Sequence, residues 1–281
     1  MALRPARKPR KPHSAQVIRT ERLTPHMQRV VLGGEGLADF AADTCTDHYV
    51  KILFSPEGVS YPEPFDLERI REELPREQWP VTRTYTVRAW DPEHRELTLD
   101  FVLHGDEGLA GPWAMRAQPG ETVRFMGPGG AYAPAPDADW HLLVGDESAL
   151  PAIARSLESL PHGTTAYAFV EVSGPEEEQK IDSDVEVVWL HRGSRPVGEA
   201  LVEAVRALEF PDGRLHAFVH GEAHFVKELR HLLRVERAVP REDLSISGYW
   251  RLGHNEDGWQ ASKRDWNARI EAEQEGAASA A

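Results

Sequence analysis

The chain changes its type of fold within residues 121–150, ETVRFMGPGGAYAPAPDADWHLLVGDESAL. Its first part, ETVRFMGP, combines β-branched and aromatic residues with a Gly-Pro turn, which predicts a short strand. Its last part predicts a buried strand from the apolar run HLLVG and a helix beginning near ESALP. The segment Pro134-Ala135-Pro136-Asp137 between them is typical of a linker. We therefore expect a domain boundary after residue 136.

On the N-terminal side of this boundary, short β-rich runs are separated by Gly, Pro and Asp. Six or more such strands predict an antiparallel barrel. Residues 56–80 are acidic and proline-rich, and they predict an insertion loop with a helical turn. The runs expected to form strands are AQVIRTERLTPHMQRVVLGG (two strands), HYVKILF, RTYTVRAW, ELTLDFVLH and ETVRFMGP.

On the C-terminal side, apolar strands alternate with amphipathic helices, which is typical of a doubly wound parallel sheet. The predicted fold class is therefore all-β plus α/β, with an N-terminal antiparallel β-barrel over residues 15–136 and a doubly wound α/β domain over residues 137–270. Residues 1–14 predict a disordered basic arm, and residues 271–281 a disordered polar tail. The elements expected after HLLVG are the helix ESALPAIARSLESL, the strands TAYAFVEV and VEVVWLHRG, the helix PVGEALVEAVRALE, the strand LHAFVHG and the helix EAHFVKELRHLLRVER.

The composition limits the compartment and the partners. A formal net charge of −14 disfavours nucleic acid and anionic membranes, because like charges repel. Cys45 is the only cysteine, so an intramolecular disulfide is excluded. No apolar run approaches the roughly 18 residues of a membrane span, and the N-terminus lacks the apolar core of a secretory signal. We expect a cytoplasmic protein without membrane insertion.

Residues 83–88, RTYTVR, are the first candidate for a binding site. Because side chains alternate along a strand, Arg83 and Tyr85 face one side, and Thr84 and Thr86 face the other. The pair on the first side offers a guanidinium to a phosphate and a flat ring to another flat ring. The alternative is an ordinary strand with a solvated arginine.

Two strand-to-helix junctions are further candidates. Residues 103–114, LHGDEGLAGPWA, lead into a helix start, where unpaired backbone N–H groups suit a pyrophosphate; the alternative is a Gly-rich turn. Residues 144–153, VGDESALPAI, lie at the carboxyl edge of the predicted sheet, where ligands bind. This second junction lacks the pattern G-x-G-x-x-G, and the alternative is a helix cap from Asp146 or Ser148.

The histidines do not predict a metal site. His220 and His224 have ligand spacing, and His231 follows on the same predicted helix. However, in HGEAH the Glu is the third residue, whereas the zinc-protease motif H-E-x-x-H has it second. We therefore interpret these histidines as solvated or capping residues. The pattern G-x-S-x-G does not occur. We expect neither a metal site nor a catalytic acid–base group.

The order of the motifs is more specific than any one of them. An Arg-x-Tyr-Thr strand, a Gly-rich helix start, a barrel-to-α/β boundary and residues 145–151, GDESALP, follow one another. Two further matches are residues 48–54, HYVKILF, and residues 248–251, GYWR, which Gly258-Trp259 follows. Over about residues 15–266 the chain resembles the siderophore-interacting protein family of the ferredoxin–NADP reductase superfamily, which includes ferric-siderophore reductases.

This resemblance implies that the barrel binds FAD and that the α/β domain binds NAD(P)H. Arg83 would bind the FAD pyrophosphate, Tyr85 would contact the isoalloxazine, and Thr86 would lie near its polar edge. The other implied cofactor contacts are His104, Gly108, Ala110 and Trp113 around the pyrophosphate and adenosine, Asp146, Glu147 and Ser148 on the nicotinamide side, and Thr84 and Trp250 without a more specific role.

The resemblance also implies a preference among nucleotides. Arg192, Ser194 and Arg195 follow the third strand of the α/β domain. NADP-specific members of the superfamily carry Ser and Arg there for the 2′-phosphate, so NADPH is expected in preference to NADH. The alternative is that these arginines are solvated loop charges.

Lys51 and Arg251 would belong to a basic cluster that faces the ferric siderophore. Family members described with three basic groups place the third in a Gly-Pro-Arg-Gly loop. Here residues 127–130 are GPGG, so Gly129 stands at the arginine position. The missing arginine favours a less anionic ligand, a hydroxamate or mixed-ligand siderophore.

The function expected from the resemblance is FAD-dependent reduction of siderophore-bound ferric iron with electrons from NAD(P)H or from a ferredoxin. Flavin suits this chemistry because it accepts a hydride and releases electrons singly. Two alternatives share the fold. One is a general NAD(P)H:flavin or ferredoxin reductase, and the other is a siderophore-binding module that does not transfer hydride.

Overall fold

The N-terminal domain is a closed six-stranded antiparallel barrel in the computed structural model, which describes residues 11–105 and 108–278. The strands follow the order β1-β2-β5-β4-β3-β6 around the barrel. Alternate residues such as Leu97, Leu99 and Phe101 point into its core, because strand side chains alternate between faces. The strands are β1 (His13–Thr24), β2 (Met27–Gly33), β3 (Tyr49–Phe54), β4 (Val81–Asp91), β5 (Glu96–Val102) and β6 (Thr122–Gly129).

Two short helices accompany the barrel. Helix α1 (Leu67–Glu73) is the helical turn expected within residues 56–80, and Asp66 caps its first N–H groups. Helix α2 (Ala110–Arg116) buries Trp113 in the same core as Phe101, with ring centroids 5.5 Å apart. Helix α2 therefore belongs to the packing of the barrel.

The C-terminal domain is a five-stranded parallel sheet with the order β11-β10-β7-β8-β9. Helix α3 packs on one face of the sheet, and α4 and α5 pack on the other. The prediction of a barrel followed by a doubly wound α/β domain is thus confirmed. The elements are β7 (Trp140–Asp146), α3 (Leu150–Ser159), β8 (Ala166–Val172), β9 (Val187–His191), α4 (Glu199–Ala207), β10 (Leu215–Glu222), α5 (Ala223–His231) and β11 (Leu244–Trp250).

Polar contacts hold the two domains against each other. Arg88 of β4 forms a bidentate ion pair with Glu158 of α3, with N···O distances of 2.5 and 2.8 Å. Glu177, after β8, accepts a hydrogen bond from the Thr24 hydroxyl at 2.5 Å and pairs with His26 at 2.6 Å. These contacts hold the barrel against helix α3 and against the segment that follows β8.

The C-terminus differs from the predicted disordered tail. Helix α6 (Glu256–Ala278) is 23 residues long, so the prediction is wrong for residues 271–278, while residues 279–281 lie outside the described part of the chain. The helix docks on the α/β domain through buried Ile270 and Gln274. The Gln274 amide donates to the backbone carbonyl of Lys227 at 3.0 Å, which gives this polar stretch an anchor.

The N-terminal arm is only partly described. Residues 1–10 of the predicted disordered arm lie outside the described residues, and His13 and Ser14 belong to β1. Within residues 11–105 and 108–278, no helix combines the length and the apolar composition that crossing a bilayer requires.

Candidate functional site

A cleft of about 670 Å³ lies between the barrel and the carboxyl edge of the parallel sheet. The sheet order reverses between β7 and β10, and open α/β sheets bind ligands where the strand order reverses. The cleft therefore lies where ligand binding is expected from topology alone. The predicted site residues that line it are Lys51, Thr84, Tyr85, Thr86, His104, Glu147, Ser148, Trp250 and Arg251.

Strand β4 supplies an aromatic ring and a hydroxyl to the barrel wall. The Tyr85 ring lies 4.1 Å from Phe101, centroid to centroid, so the barrel core supports it. Burial raises the pKa of Tyr85 above its ordinary value, which keeps the phenol neutral. Thr86 of β4 and Tyr249 of β11 both line the cleft, one from the barrel and the other from the parallel sheet.

Arg83 is held by the first turn of α6. Its guanidinium donates two hydrogen bonds to the Asp257 carboxylate, both of 3.0 Å, and its Nε lies 3.3 Å from Glu256 Oε2. Glu256 also accepts from the backbone N–H of Thr84 at 3.3 Å. We call Glu256 and Asp257 the α6 carboxylates. Arg83 thus binds oxyanions in the bidentate geometry that a pyrophosphate would use.

Asp146 is fully buried and does not line the cleft. Its Oδ2 accepts from the backbone N–H of Glu222 and from Trp250 Nε1, both at 2.8 Å. Its Oδ1 accepts from the backbone N–H and the hydroxyl of Ser148, at 3.0 and 2.5 Å. Burial raises the pKa of Asp146 to about 6. Asp146 therefore positions Ser148 and Trp250, which do line the cleft.

Close packing around Asp146 requires a glycine at residue 221. A Cβ built on Gly221 would lie 2.6 Å from Asp146 Oδ2, and its φ of +140° is unfavourable for other residues. The end of β10 can therefore approach the end of β7 closely.

The predicted junction at residues 103–114 contributes residues both to the cleft and to the barrel core. His104 lines the cleft, whereas Ala110 and Trp113 are buried. Trp113 Nε1 donates to Glu121 at 2.7 Å. Gly108 has a φ of +81°, which favours glycine in this turn. The structure thus brings His104 to the cleft and places the Trp113 side chain in the barrel core.

The residues predicted to bind the 2′-phosphate do not line the cleft. Ser194 is exposed in the loop after β9, and Arg192 and Arg195 flank it. Each arginine is held by two carboxylates, so neither local cluster carries a net positive charge. The partners are Glu147 and Glu171 for Arg192, at 2.9 and 3.3 Å, and Glu199 and Glu203 for Arg195, at 2.9 and 2.6 Å.

Both predicted basic residues line the cleft. Lys51 lies on β3, and Arg251 directly follows β11. The Arg251 guanidinium carbon lies 4.0 Å from the centroid of the Trp266 ring, a cation–π contact with α6. Its Nε is buried and has no hydrogen-bond partner.

Helix α6 is the part of the site that the sequence analysis missed. Glu256, Trp259, Gln260 and Lys263 line the cleft at helical positions i, i+3, i+4 and i+7. The recurrence of Trp259, Trp266 and Ile270 along one face was a readable signal for a helix. Nothing in the sequence indicated where that helix docks.

His220 is buried, so its interpretation as a solvated or capping histidine is wrong. It lies near the end of the buried strand β10 and lines the cleft, and its ring stacks on Phe218 at 4.0 Å. Burial lowers its pKa to about 3, so the ring is neutral. Its Nε2 contacts the Ser245 hydroxyl at 3.0 Å, and its Nδ1 is buried with no hydrogen-bond partner. The position at the carboxyl end of a strand beside the switch point was the available signal.

The donor set of the cleft fits a flavin nucleotide. Tyr85 and Trp250 offer aromatic surface, and Thr84 and Thr86 offer hydroxyls. The predicted pyrophosphate ligand Arg83 does not itself line the cleft, because the α6 carboxylates hold it. The cleft-lining residues His220 and Arg251 also carry buried nitrogen atoms without a partner, which a bound polar ligand can satisfy.

Comparison with solved structures defines the class of protein first. A ferredoxin–NADP⁺ reductase from Neisseria gonorrhoeae has a TM-score of 0.56 with this chain at 15% identity, covering 80% of this chain and 91% of that one. At this identity the similarity shows the fold alone. The chain therefore has the two-domain fold of the ferredoxin reductases.

The family follows from closer similarity. Residues 16–132 match the siderophore-interacting FAD-binding domain, and residues 138–253 match the siderophore-interacting protein family. A siderophore utilization protein from T. fusca has 37% identity and a TM-score of 0.76, covering 88% of this chain and 95% of that one. This chain belongs to the siderophore-interacting protein family, and its barrel is a FAD-binding domain. The resemblance deduced from the sequence is confirmed.

Curated relatives extend over nearly the whole chain. An uncharacterized protein of Mycobacterium tuberculosis is 45% identical over 269 residues, which cover 90% of this chain and 95% of that protein. The ferric vibriobactin reductase ViuB of Vibrio cholerae is 34% identical, covering 90% and 94%. The NADPH-dependent ferric-chelate reductase of Escherichia coli is 30% identical, covering 83% and 91%.

Proposed function

We propose that this protein is an FAD-dependent ferric-siderophore reductase that takes electrons from NAD(P)H. One observation carries the proposal: the same cleft is lined by strand β4 of the FAD-binding barrel, by the carboxyl edge of the parallel sheet and by the basic side chains of Lys51 and Arg251. The V. cholerae and E. coli relatives are named as a ferric vibriobactin reductase and an NADPH-dependent ferric-chelate reductase, which supports this function.

Bound FAD supplies the conversion of a two-electron hydride donor into single electrons for iron. The residues of this chain bind and orient the reactants. Arg83 would bind the pyrophosphate, and Tyr85 and Trp250 would contact the flat ring system. Ser148, positioned by Asp146, lies on the side where the nicotinamide enters. Ferric iron is the substrate, and its reduction weakens binding by hard oxygen ligands, which releases the metal. No residue needs to transfer a proton at the iron.

We place the reaction in the cytoplasm, where NAD(P)H is available. NADPH is the donor that the name of the E. coli relative specifies. The alternative donor is a ferredoxin, in which case both nicotinamide nucleotides would reduce the protein slowly.

The proposal is tested by coupling the consumption of NADPH to the release of iron. In the presence of a ferric siderophore and a chelator selective for Fe(II), each NADPH should yield two Fe(II) ions. A protein that oxidises NADPH with free flavin but releases no Fe(II) would be a general flavin reductase. A protein that binds the ferric complex without oxidising NADPH would be a siderophore-binding module.

A further inference from the structure

Asp146 connects the interior of the α/β domain to the wall of the cleft. Its carboxylate is fully buried, and two of the residues that donate hydrogen bonds to it, Ser148 and Trp250, line the cleft. Ser148 lies in the turn between β7 and α3, and Trp250 ends β11. The charge of one buried carboxyl group therefore acts on two separate points of the cleft wall.

The surroundings of Asp146 supply hydrogen-bond donors but no counter-ion. Asp146 forms no ion pair within the part of the chain that the structure describes, and its four hydrogen bonds all come from N–H or O–H groups of Glu222, Trp250 and Ser148. Burial, followed by the nearby charge of Glu147, raises the pKa of Asp146 to about 6. The carboxyl group therefore changes its charge close to neutral pH.

The titratable groups around Asp146 have partners of their own or are neutral. Tyr249 of β11 is neutral, because burial raises its pKa. The neighbouring cations are already paired with other carboxylates, so a change of charge on Asp146 acts mainly through its own hydrogen bonds. The pairs are Glu147 with Arg192, Glu171 (opposite Asp146 in the register of β7 and β8) with Arg192 and the Gly198 N–H, and Glu222 with His224 of α5 and the Leu252 N–H.

The hydrogen-bond pattern determines which oxygen of Asp146 can take up a proton. Oδ2 receives two N–H groups, from Glu222 and Trp250, and neither can accept a hydrogen bond in return. Oδ1 receives the hydroxyl of Ser148, which can reverse its direction. A proton on Oδ1 would point at Ser148 Oγ and turn the serine O–H away from Asp146.

The direction of the Ser148 hydroxyl decides what this point of the cleft offers to a ligand. While Asp146 is ionised, the serine proton is directed into the domain, and the lone pairs of Oγ are left to accept from a ligand N–H. Once Asp146 is protonated, Oγ accepts from the carboxyl group, and the serine proton is left to donate instead. Protonation thus converts an acceptor in the cleft into a donor.

We propose that Asp146 is a positioning residue for the nicotinamide ring: its carboxylate holds the Ser148 hydroxyl as an acceptor for the carboxamide N–H₂ and fixes the Trp250 indole in the cleft wall. This inference rests on the proposed reductase function, in which a nicotinamide nucleotide enters on the Ser148 side. Protonation of Asp146 would confront the carboxamide N–H₂ with another donor. Binding of the ring, but not of the rest of the nucleotide, should therefore weaken as the pH falls through about 6.

The test separates the nicotinamide ring from the rest of the nucleotide. Tetrahydro-NADP keeps the carboxamide but cannot transfer hydride, and 2′-phospho-ADP-ribose is the same nucleotide without the ring. Since both carry the same phosphates, the titration of the phosphates cancels in the ratio of the two dissociation constants. Calorimetry on the FAD-loaded protein should give a ratio that favours tetrahydro-NADP about fivefold more at about pH 7.5 than at about pH 5, the contribution of one neutral hydrogen bond.

Ser148→Ala should abolish this dependence on pH, because the hydroxyl that reverses is gone. Ser159→Ala is the matched control, since the Ser159 hydroxyl lies at the other end of α3 and donates to the backbone carbonyl of Ser156. The control should keep the pH dependence of the wild type.

A second measurement follows Asp146 without any nucleotide or flavin. In NMR spectra of the flavin-free protein, the indole N–H resonance of Trp250 should shift with a midpoint at about pH 6, because this group donates to Asp146. Trp250→Phe identifies the resonance, and Asp146→Asn should abolish the shift. The indole N–H of Trp79, which donates to the Leu74 carbonyl, should not follow this titration.

Several outcomes would overturn the inference. They are a wild-type ratio that does not change with pH, a pH dependence that survives in Ser148→Ala, and a Trp250 resonance that does not titrate. Should Asp146→Asn fail to fold, the wild-type titration and Ser148→Ala still decide. If the wild type bound neither nucleotide, the NAD(P)H donor of the proposed function would itself fail. If NADPH reduced the flavin but the ratio was independent of pH, only this inference would fail.

Discussion

Replacing Asp257 by Asn should tighten the binding of FAD, because the α6 carboxylates compete with a pyrophosphate for Arg83. The Arg83 side chain is 11% exposed, and it donates two hydrogen bonds of 3.0 Å to Asp257. A hydrogen bond to a charged group contributes roughly 1.5–3 kcal/mol when it is shielded. Asp257 is 66% exposed, however, so the screened value for a surface pair, about 1 kcal/mol, is the appropriate one.

A gain of about 1 kcal/mol corresponds to roughly fivefold tighter FAD binding for Asp257→Asn. Neutralising Glu256 as well should bring the gain to about 2 kcal/mol, or roughly thirtyfold. The assay is titration of flavin-free protein with FAD, followed by quenching of flavin fluorescence. Asp265→Asn is the matched control, because this carboxylate lies on the same helix and does not contact Arg83.

Arg83→Ala should act in the opposite direction and weaken FAD binding about tenfold to a hundredfold, since the pyrophosphate loses its bidentate partner. The reasoning would be refuted if Asp257→Asn bound FAD no more tightly than Asp265→Asn, or if Arg83→Ala bound it as tightly as the wild type.

Two further predictions concern the α/β domain. The double change Glu199→Gln and Glu203→Gln would free Arg195 from its two ion pairs. It should raise the ratio of kcat/KM for NADPH to kcat/KM for NADH about twofold to fivefold, which corresponds to the free energy of exposed ion pairs. An unchanged ratio would show that Arg195 does not belong to the nucleotide site. Asp146→Asn should lower the free energy of unfolding in urea by about 2–4 kcal/mol. One amide oxygen cannot replace two carboxylate oxygens, so the N–H groups of Glu222 and Trp250 would be left unpaired. Asp137→Asn, at an exposed position, should have little effect. The folded-state pKa of Asp146 is raised to about 6, so its ionisation costs stability above that pH, and this cost disappears as the pH falls. The wild type should therefore gain stability relative to Asp146→Asn as the pH is lowered from about 7 to about 5. A difference in stability that stays constant over this range would contradict the raised pKa.

The fold was predictable from local patterns. Alternating strands with turn residues gave the barrel, and the change at residues 121–150 marked the start of the parallel sheet. These signals are local because strand and helix periodicities appear within about ten consecutive residues. The tail was misassigned because residues 271–278 are polar, and their helix depends on the contact of Gln274 with a backbone carbonyl elsewhere.

The candidate site was only partly predictable from position along a strand. Tyr85 and Thr86 both line the cleft, although alternation along β4 predicts opposite sides for them. Asp146 is buried because residues 221 and 250 close over it. Arg192 pairs with glutamates, and Lys263 and Lys51 line the same cleft, although these residues are far apart in sequence. Such pairings depend on how the elements dock, which spacing along the chain does not reveal.

The most direct test of the account follows the flavin absorbance of the purified protein under anaerobic conditions. Addition of NADPH should bleach the flavin band, and subsequent addition of a ferric siderophore should restore it while Fe(II) appears in a colorimetric chelator. A protein that binds FAD but is not bleached by NADPH, NADH or a reduced ferredoxin would contradict the proposed electron input. A bleached protein that a ferric siderophore does not reoxidise would contradict the central claim, that this cleft passes electrons to siderophore-bound iron.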